Sequence, residues 1–252
     1  MKFTLKTIVA ATAFVAAGVA NAASVTVAAN TTYEGLSFSG NGALSFSADL
    51  LGALDTGKVA VAGYGAAKAT VTKDADGYFL EASAAAPITA LTIDSTTRTV
   101  LAAATTGGAT QTAPALKSVS SGGSLTVTDL NVDIANKRVY ATLIGGNGVG
   151  TLTNFYLWNI GSITGATQVT GAGTFTTNMT GLSITTEGFN QFSKSLGLLS
   201  LGKSALLGVT DFGSISSTII AKSVTAVPEP STYALMGLGL VGLSLASRRK
   251  AK

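Results

Sequence analysis

The feature that most constrains this sequence is the alternation of apolar residues with serine or threonine between residues 23 and 226. Successive side chains of a β-strand point to opposite faces, so a period of two is typical of strands with one buried face. The clearest examples are residues 36–39, 44–47, 70–72, 78–80, 125–128, 139–143 and 155–158. This segment is therefore predicted to be one all-β domain, an antiparallel, hairpin-rich sandwich or barrel.

Two short loops between these strands carry the residues that tight turns require. Gly40, Asn41 and Gly42 separate the first two strands, and Asn-Gly tolerates the positive φ of a hairpin turn. Residues 74–77 (Asp-Ala-Asp-Gly) separate the next two strands and resemble a calcium-binding loop. The EF-hand pattern fails, however, because Thr72 and Ser83 would occupy the first and last ligand positions. Hairpin turns are therefore predicted at both places.

A pattern in residues 88–102 recurs in residues 127–141. In each copy a strand ends at an aspartate, Asp94 or Asp133, and the next strand opens beside a cation, Arg98 or Lys137. Each copy is predicted to be a hairpin. Two copies are too few for a solenoid, which needs at least three, so duplicated hairpins within one sheet system are expected.

One helix is predicted from residue 186, with Thr186 as its cap and Glu187 in its first turn. Its apolar positions recur at helical spacing and are Phe189, Phe192, Leu196 and Leu199. We expect this helix to close one end of the sandwich or barrel rather than to bind a partner.

The residue inventory excludes most catalytic chemistry. The 252 residues include neither cysteine nor histidine, which excludes disulfides, thiolate nucleophiles and thiolate or imidazole metal ligands. Charged residues make up 11% of the chain, against roughly 25% in an ordinary domain, so hydroxyls and amides must hydrate the surface. Hydrolysis by paired carboxylates is the one common chemistry left open, but the acids are scattered without an evident pair. We expect a protein without enzymatic activity, metal or cofactor.

The positive net charge belongs to the two ends of the chain. Basic residues outnumber acidic ones by 16 to 12. The excess is carried by Lys2 and Lys6 near the start and by Arg248, Arg249, Lys250 and Lys252 at the end. The body between them is nearly neutral, so the composition does not indicate a nucleic-acid partner.

Residues 1–22 have the three parts of a secretory signal peptide. Lys2 and Lys6 form the positive region, an apolar stretch covers residues 7–19, and Ala20 and Ala22 flank Asn21 in a small-x-small cleavage site. Cleavage is expected between Ala22 and Ala23. The partners implied are the Sec export machinery and signal peptidase.

Residues 227–252 are predicted to hold a short transmembrane helix. Pro228 and Pro230 prevent a strand or helix from continuing through them. An uncharged stretch then runs over residues 233–246 and ends at Arg248, Arg249 and Lys250. At ~1.5 Å per residue, a helix over residues 231–247 is roughly 26 Å long, short for a bilayer core of ~30 Å but tolerable with snorkelling arginines.

This tail resembles the PEP-CTERM sorting signal of Gram-negative bacteria. The resemblance rests on Val227, Pro228, Glu229 and Pro230, the apolar helix and the basic cluster, in that order. It implies recognition by an exosortase, a membrane-embedded transpeptidase, and an association with exopolysaccharide and biofilm. On that resemblance the protein is anchored transiently in the inner membrane, with its body in the periplasm, and then passes to the outer envelope or extracellular matrix. The alternative is a permanent inner-membrane anchor.

Residues 197–204 match the Walker A pattern of nucleotide-binding loops letter for letter. Such a loop needs a strand before it and a helix after it, so that backbone N–H groups converge on phosphate. Here a helical pattern precedes the match, and the signal peptide directs the segment to a compartment without ATP. Ser200 and Lys203 also copy a Ser-x-x-Lys motif, but its partner motifs are missing. Both matches are interpreted as coincidences.

The predicted organisation is thus a signal peptide (1–22), a β-rich body (23–226) and a sorting tail (227–252). The body is expected to be structural and associated with exopolysaccharide. The alternative is a carbohydrate-binding module for that polymer. Tyr156 and Trp158 alternate on one predicted strand and are the candidate sugar-stacking residues, provided that their face is the exposed one.

Overall fold

The computed structural model describes residues 23–224 together with Leu235, Met236 and Leu238. Ala20, Ala22 and the rest of the predicted signal peptide lie outside the described residues. So do the sorting residues 227–230 and the basic residues 248–250. Ala23 is exposed and precedes the first strand. Leu235, Met236 and Leu238 are helical and exposed, but the predicted sorting helix as a whole is not described.

None of the helices within the described residues has both the length and the apolar character needed to cross a membrane.

Thirteen strands and three short helices make up the described part of the chain, so the prediction of a mostly antiparallel β fold is confirmed. The strands are β1 (Ser24–Ala28), β2 (Thr32–Tyr33), β3 (Leu36–Phe46), β4 (Ala60–Tyr64), β5 (Lys68–Lys73), β6 (Phe79–Asp94), β7 (Val100–Thr105), β8 (Gly108–Leu116), β9 (Ser120–Asp133), β10 (Arg138–Gly145), β11 (Gly150–Gly165), β12 (Gly173–Ile184) and β13 (Gly213–Ser223). The helices are α1 (Ala48–Thr56), α2 (Thr186–Ser195) and α3 (Ser200–Leu207).

Eight of these strands close into a ring. The antiparallel pairings run from β3 through β6, β7, β9, β10, β11, β12 and β13, and β13 pairs with β3 again. Of the sandwich and the barrel that the sequence leaves open, the ring corresponds to the barrel. Three strands outside the ring pair with its long strands β6 and β9: β1 and β5 with β6, and β8 with β9.

Side chains that alternate in the sequence point alternately to the inside and to the outside of this ring. In β13, Ile215, Ser217, Ile219 and Ala221 are buried, and the residues between them are partly exposed. Small side chains recur in the interior, among them Ala84 and Ala86 of β6 and Ala103 of β7. A narrow ring has little room for large side chains on every strand, and small residues between larger ones allow close packing.

The predicted hairpin at residues 74–77 is confirmed. Strands β5 and β6 pair on either side of it. The Asp74 carboxylate accepts hydrogen bonds from the backbone N–H groups of Asp76 (3.0 Å) and Tyr78 (2.8 Å), and Gly77 has a φ of +87°. Its carboxylate therefore holds a turn.

The two repeated hairpins are also confirmed. Ile93 pairs with Val100 in the first copy, and Asp133 pairs with Arg138 in the second. The cations sit at matching left-handed positions, since φ is +58° at Arg98 and +55° at Lys137. The copies lie next to each other in the ring because β7 pairs with β9.

The hairpin predicted at Gly40–Gly42 is wrong. Residues 36–46 form the single strand β3, which pairs along its whole length with β13 and over residues 41–45 with β6. Gly40 has a φ of +155°, and a Cβ atom there would clash with the Thr218 carbonyl oxygen. The glycine therefore permits a close approach to β13 rather than a reversal of the chain.

The predicted helix is α2, and its predicted cap is off by one residue. The Thr185 hydroxyl, not that of Thr186, accepts a hydrogen bond from the Gly188 N–H (3.0 Å), whereas Glu187 lies in the first turn as expected. Phe192 of α2 is fully buried against Phe212, edge to face at 6.2 Å between ring centroids. The helix packs onto the core as expected, but α1 and α3 pack there with it.

Candidate functional site

Trp158 lies in the core and not on the surface. It is 3% exposed, and its ring centroid is 6.5 Å from that of Phe212. The cause is a bulge in β11: Trp158 pairs with Val139, while Tyr156 pairs with the next residue of β10, Tyr140. Paired residues share a face, so Trp158 turns inward with the buried Val139 and Tyr156 turns outward. The prediction of one sugar-stacking face formed by Tyr156 and Trp158 is therefore corrected.

Tyr156 instead forms an outward-facing aromatic pair with Tyr140. The two rings are partly exposed, their centroids are 5.4 Å apart, and their planes are tilted by 35°. The Tyr156 hydroxyl donates a hydrogen bond to the Asn159 side-chain oxygen. Aromatic pairs at this separation stabilise each other modestly, so both rings are held in fixed orientations on the outer face.

Arg138 lies beside these two rings. Its guanidinium carbon is 5.2 Å from the centroid of the Tyr156 ring, within the range of a cation–π interaction. Hydrogen bonding to Tyr140, together with the charge effects of Tyr140, Tyr156 and Asp133, raises the pKa of Arg138. The guanidinium therefore stays charged and is directed along the outer face.

Polar side chains surround the aromatic pair in two rows across the strands. Asn131 of β9 pairs with Tyr140, while Asp133 of β9 and Asn159 of β11 pair with Arg138. Arg138, Asn131 and Asn159 are exposed. We call Tyr140, Tyr156, Arg138, Asn131 and Asn159 the tyrosine platform. It joins two aromatic faces to amide groups, which donate and accept hydrogen bonds, and to a guanidinium group, which donates them.

The platform suits a ligand with an apolar face and a polar edge. A pyranose ring has this form, because its C–H groups lie on its faces and its hydroxyls project from its rim. Aromatic side chains can pack against the C–H groups of such a ring, and amide and guanidinium groups can hydrogen-bond to its hydroxyls. The described residues contain no group of three or more acidic, histidine or cysteine side chains placed to hold a metal ion.

The stretch that matches Walker A does not form a phosphate loop. The helix α2 precedes it, and Leu198 makes only an isolated bridge to Ser120 before α3 begins at Ser200. Asp211 follows α3 and lies in the turn before β13. Its carboxylate accepts a hydrogen bond from the Gly213 N–H (2.8 Å), and its backbone carbonyl oxygen accepts one from the Ser47 hydroxyl. The strand that would aim backbone N–H groups at phosphate is missing from this place.

Comparison with known proteins settles the tail. Residues 226–250 match the family model of the PEP-CTERM protein-sorting motif. The chain carries a PEP-CTERM sorting motif. The match contains Val227, Pro228, Glu229 and Pro230 as well as Arg248, Arg249 and Lys250. No curated protein and no solved structure matches the chain.

The PEP-CTERM motif indicates how the protein is exported and processed, but it does not indicate what the β-rich body does. It implies an exported protein that passes through the membrane and is processed by an exosortase. The match covers the tail only, so the body must be interpreted from its own surface.

Sequence reasoning missed Tyr140, Arg138, Asn131 and Asn159. One signal was available, because Arg138 and Tyr140 alternate with Val139 and Ala141 within a predicted strand. Two polar or aromatic residues on one face of that strand, opposite an apolar face, predict an outward pair. The pairing of Tyr140 with Tyr156 was not predictable, because it depends on the bulge beside Leu157.

Proposed function

We propose that this PEP-CTERM protein is a non-enzymatic component of the cell envelope or extracellular matrix, delivered by an exosortase-type transpeptidase and associated with exopolysaccharide. The match of residues 226–250 to the sorting motif carries this proposal. A body with few charges and no cysteine or histidine supports a structural role, because it lacks thiol nucleophiles and imidazole general bases.

The proposed route follows the order of the segments. A signal peptide at residues 1–22 leads the chain through the Sec machinery, and signal peptidase cuts after Ala22. The body folds in the periplasm while the apolar tail holds the chain in the inner membrane, with the basic cluster at residues 248–250 on the cytoplasmic side. The exosortase then acts near residues 228–230 and releases the body to the outer envelope or matrix.

Replacement of Pro228, Glu229 and Pro230 by alanine in the producing cells tests this route. The variant is expected to stay in the inner-membrane fraction, because the enzyme no longer recognises its tail. The matched control replaces Lys222, Ser223 and Val224, which lie just before the matched segment, and should be sorted normally. Normal delivery of the first variant to the outer envelope would refute the proposal.

We propose as the second function that the body binds the exopolysaccharide itself through the tyrosine platform. The observation that favours it is the outward pair of Tyr140 and Tyr156 beside the charged Arg138, with amide side chains at its edge. Repeated sugar units of a polymer would meet two tilted aromatic rings and a hydrogen-bonding rim.

Calorimetric titration of the full-length protein in nonionic detergent with the organism's exopolysaccharide tests the platform. Tyr156→Ala should weaken binding by about tenfold, because one stacking surface is lost. Tyr78→Ala removes another exposed tyrosine, at a hairpin turn, and should leave binding unchanged. Absence of heat with the unaltered protein, or equal losses in both variants, would remove this function.

A further inference from the structure

A groove with a basic lining lies between helices α2 and α3 and the loop around Asn147. Its volume is about 440 Å³, which falls within the usual range for small-ligand pockets. The polar residues that line it are Ser121, Asn147, Asn190, Ser193, Lys194 and Lys203. The groove therefore shares no residue with the tyrosine platform.

The charges of the groove are all of one sign. Lys194 and Lys203 are exposed, and no carboxylate belongs to the described residues that line the groove. The Lys194 ammonium group makes only a long hydrogen bond, 3.4 Å, to the Gly148 carbonyl oxygen. Two cations without an acidic neighbour in a concave site attract an anion.

Ser193 provides an independent sign of a ligand. It lines the groove, is 5% exposed, and its hydroxyl has no hydrogen-bond partner among the described residues. A buried hydroxyl without a partner is costly, so such groups are normally satisfied by protein, water or ligand. A ligand in the groove would supply the missing partner once the Ser193 side chain turns toward it, because the hydroxyl oxygen is closed to solvent in the described orientation.

The start of α3 adds to the positive potential. Its N-cap residue is Leu199, which lines the groove and, being leucine, gives no side-chain cap. The Leu201 N–H is already used by the Ser118 carbonyl oxygen (3.0 Å), so α3 contributes mainly through its dipole. The positive end of a helix favours an anion nearby.

We propose that this groove binds an oxyanion, either a carboxylate group or a phosphate group. Lys194 and Lys203 neutralise the anion, and the Ser193 hydroxyl and the Asn147 and Asn190 amides hydrogen-bond to it or to the polar group that carries it. The segment 197–204 takes part through Lys203 and Leu199, without the strand-loop-helix arrangement of a nucleotide-binding loop. This site goes beyond the proposed function, since the platform needs no charge on its ligand.

Calorimetry of the full-length protein in nonionic detergent tests the site with two probes that contain no sugar ring, tricarballylate for the carboxylate and inorganic phosphate. At least one probe is expected to bind, and the stronger one identifies the source of the oxyanion. The double variant Lys194→Met, Lys203→Met should bind that probe at least tenfold more weakly. Lys68→Met, which removes an exposed lysine of β5, is the matched control and should bind normally.

Two further variants separate binding in the groove from loss of stability and from binding at the platform. Ser193→Ala should weaken binding without lowering the melting temperature, because its hydroxyl makes no hydrogen bond within the part of the chain that the structure describes. Tyr156→Ala should leave binding of the probe unchanged, so failure at the groove and failure at the platform are distinguishable. Failure of both probes to bind the unaltered protein, or equal binding by the double lysine variant, would overturn the proposal.

Discussion

At the scale of single residues, carboxylates in this fold hold turns. The Asp94 side chain accepts hydrogen bonds from the backbone N–H groups of Thr96 (2.8 Å) and Thr97 (3.0 Å), and the Asp133 side chain accepts from Asn136 (3.0 Å) in the repeated hairpin. These bonds to Thr97 and Thr96 lower the pKa of Asp94, against the opposing effect of desolvation. Ionised Asp94 therefore stabilises the folded state.

Asp94→Asn should reduce the dependence of stability on acid pH. A pKa lowered by folding gives stability that is present above the unfolded value, about 3.9, and is lost as the pH falls through the lower folded value. Urea unfolding should therefore show the variant less stable than the parent at pH 7, and this difference should shrink as the pH falls below the unfolded value. Asp76→Asn is the control, because the Asp76 carboxylate accepts no hydrogen bond within the described residues. Parallel acid profiles for parent and Asp94→Asn would contradict this account.

The residue scale also shows where sequence reasoning stops. The alternation in residues 139–143 predicted a strand with one buried face, and Val139, Ala141 and Leu143 of β10 are buried because a regular strand keeps its period. It failed for Trp158 because one extra residue in β11 reverses the faces beyond it. A bulge is set by the pairing partner, Val139 followed by Tyr140, and the partner lies outside any local window.

At the scale of elements, strand pairing decided the structure at a place where the local residues favour a turn. Gly40–Gly42 is typical of a hairpin, yet β3 stays extended because β13 and β6 both pair with it there. A reversal would leave those backbone groups without partners, which costs more than the turn preference gains.

Gly40→Ala should therefore destabilise the protein by at least about 2 kcal/mol, because the new Cβ clashes with the Thr218 carbonyl oxygen. Gly52→Ala is the matched control. It lies within α1 with no atom near its new Cβ, and should stabilise by about 0.5–1 kcal/mol. Urea midpoints of both variants measure the difference. A neutral Gly40→Ala would mean that β3 and β13 do not approach as described.

Thr185→Ala tests the start of α2. Loss of its cap to the Gly188 N–H should cost about 1 kcal/mol in the free energy of unfolding. Thr186→Ala, at the exposed position that the sequence predicts as the cap, should change stability little. If Thr186→Ala lowered the melting temperature more than Thr185→Ala, Thr186 would be the cap and this assignment would be wrong.

At the scale of the whole molecule, the ring depends on contacts that no local pattern encodes. Strand β13 near the end of the body pairs with β3 near its start, and β7 joins the two repeated hairpins. The sequence predicted strands and their outward hydroxyls but left sandwich and barrel open. Within residues 23–224 it predicted one of the three helices. Ser47, which caps α1 by accepting a hydrogen bond from the Leu50 N–H (3.1 Å), and Asp49 in the first turn were a visible signal for a second.

The tail of the chain was predictable for a different reason. A sorting signal is recognised as a linear segment, so its order of proline, apolar stretch and cations can be identified without a fold. The match at residues 226–250 confirms that part. The tyrosine platform and the basic groove needed the structure, because each joins residues from several elements.

Intact-mass spectrometry of the protein recovered from the outer envelope tests the sorting account most directly. The account predicts a species that begins at Ala23 and lacks most of residues 227–252. A full-length species, retained in the inner membrane and absent from the outer envelope, would contradict it.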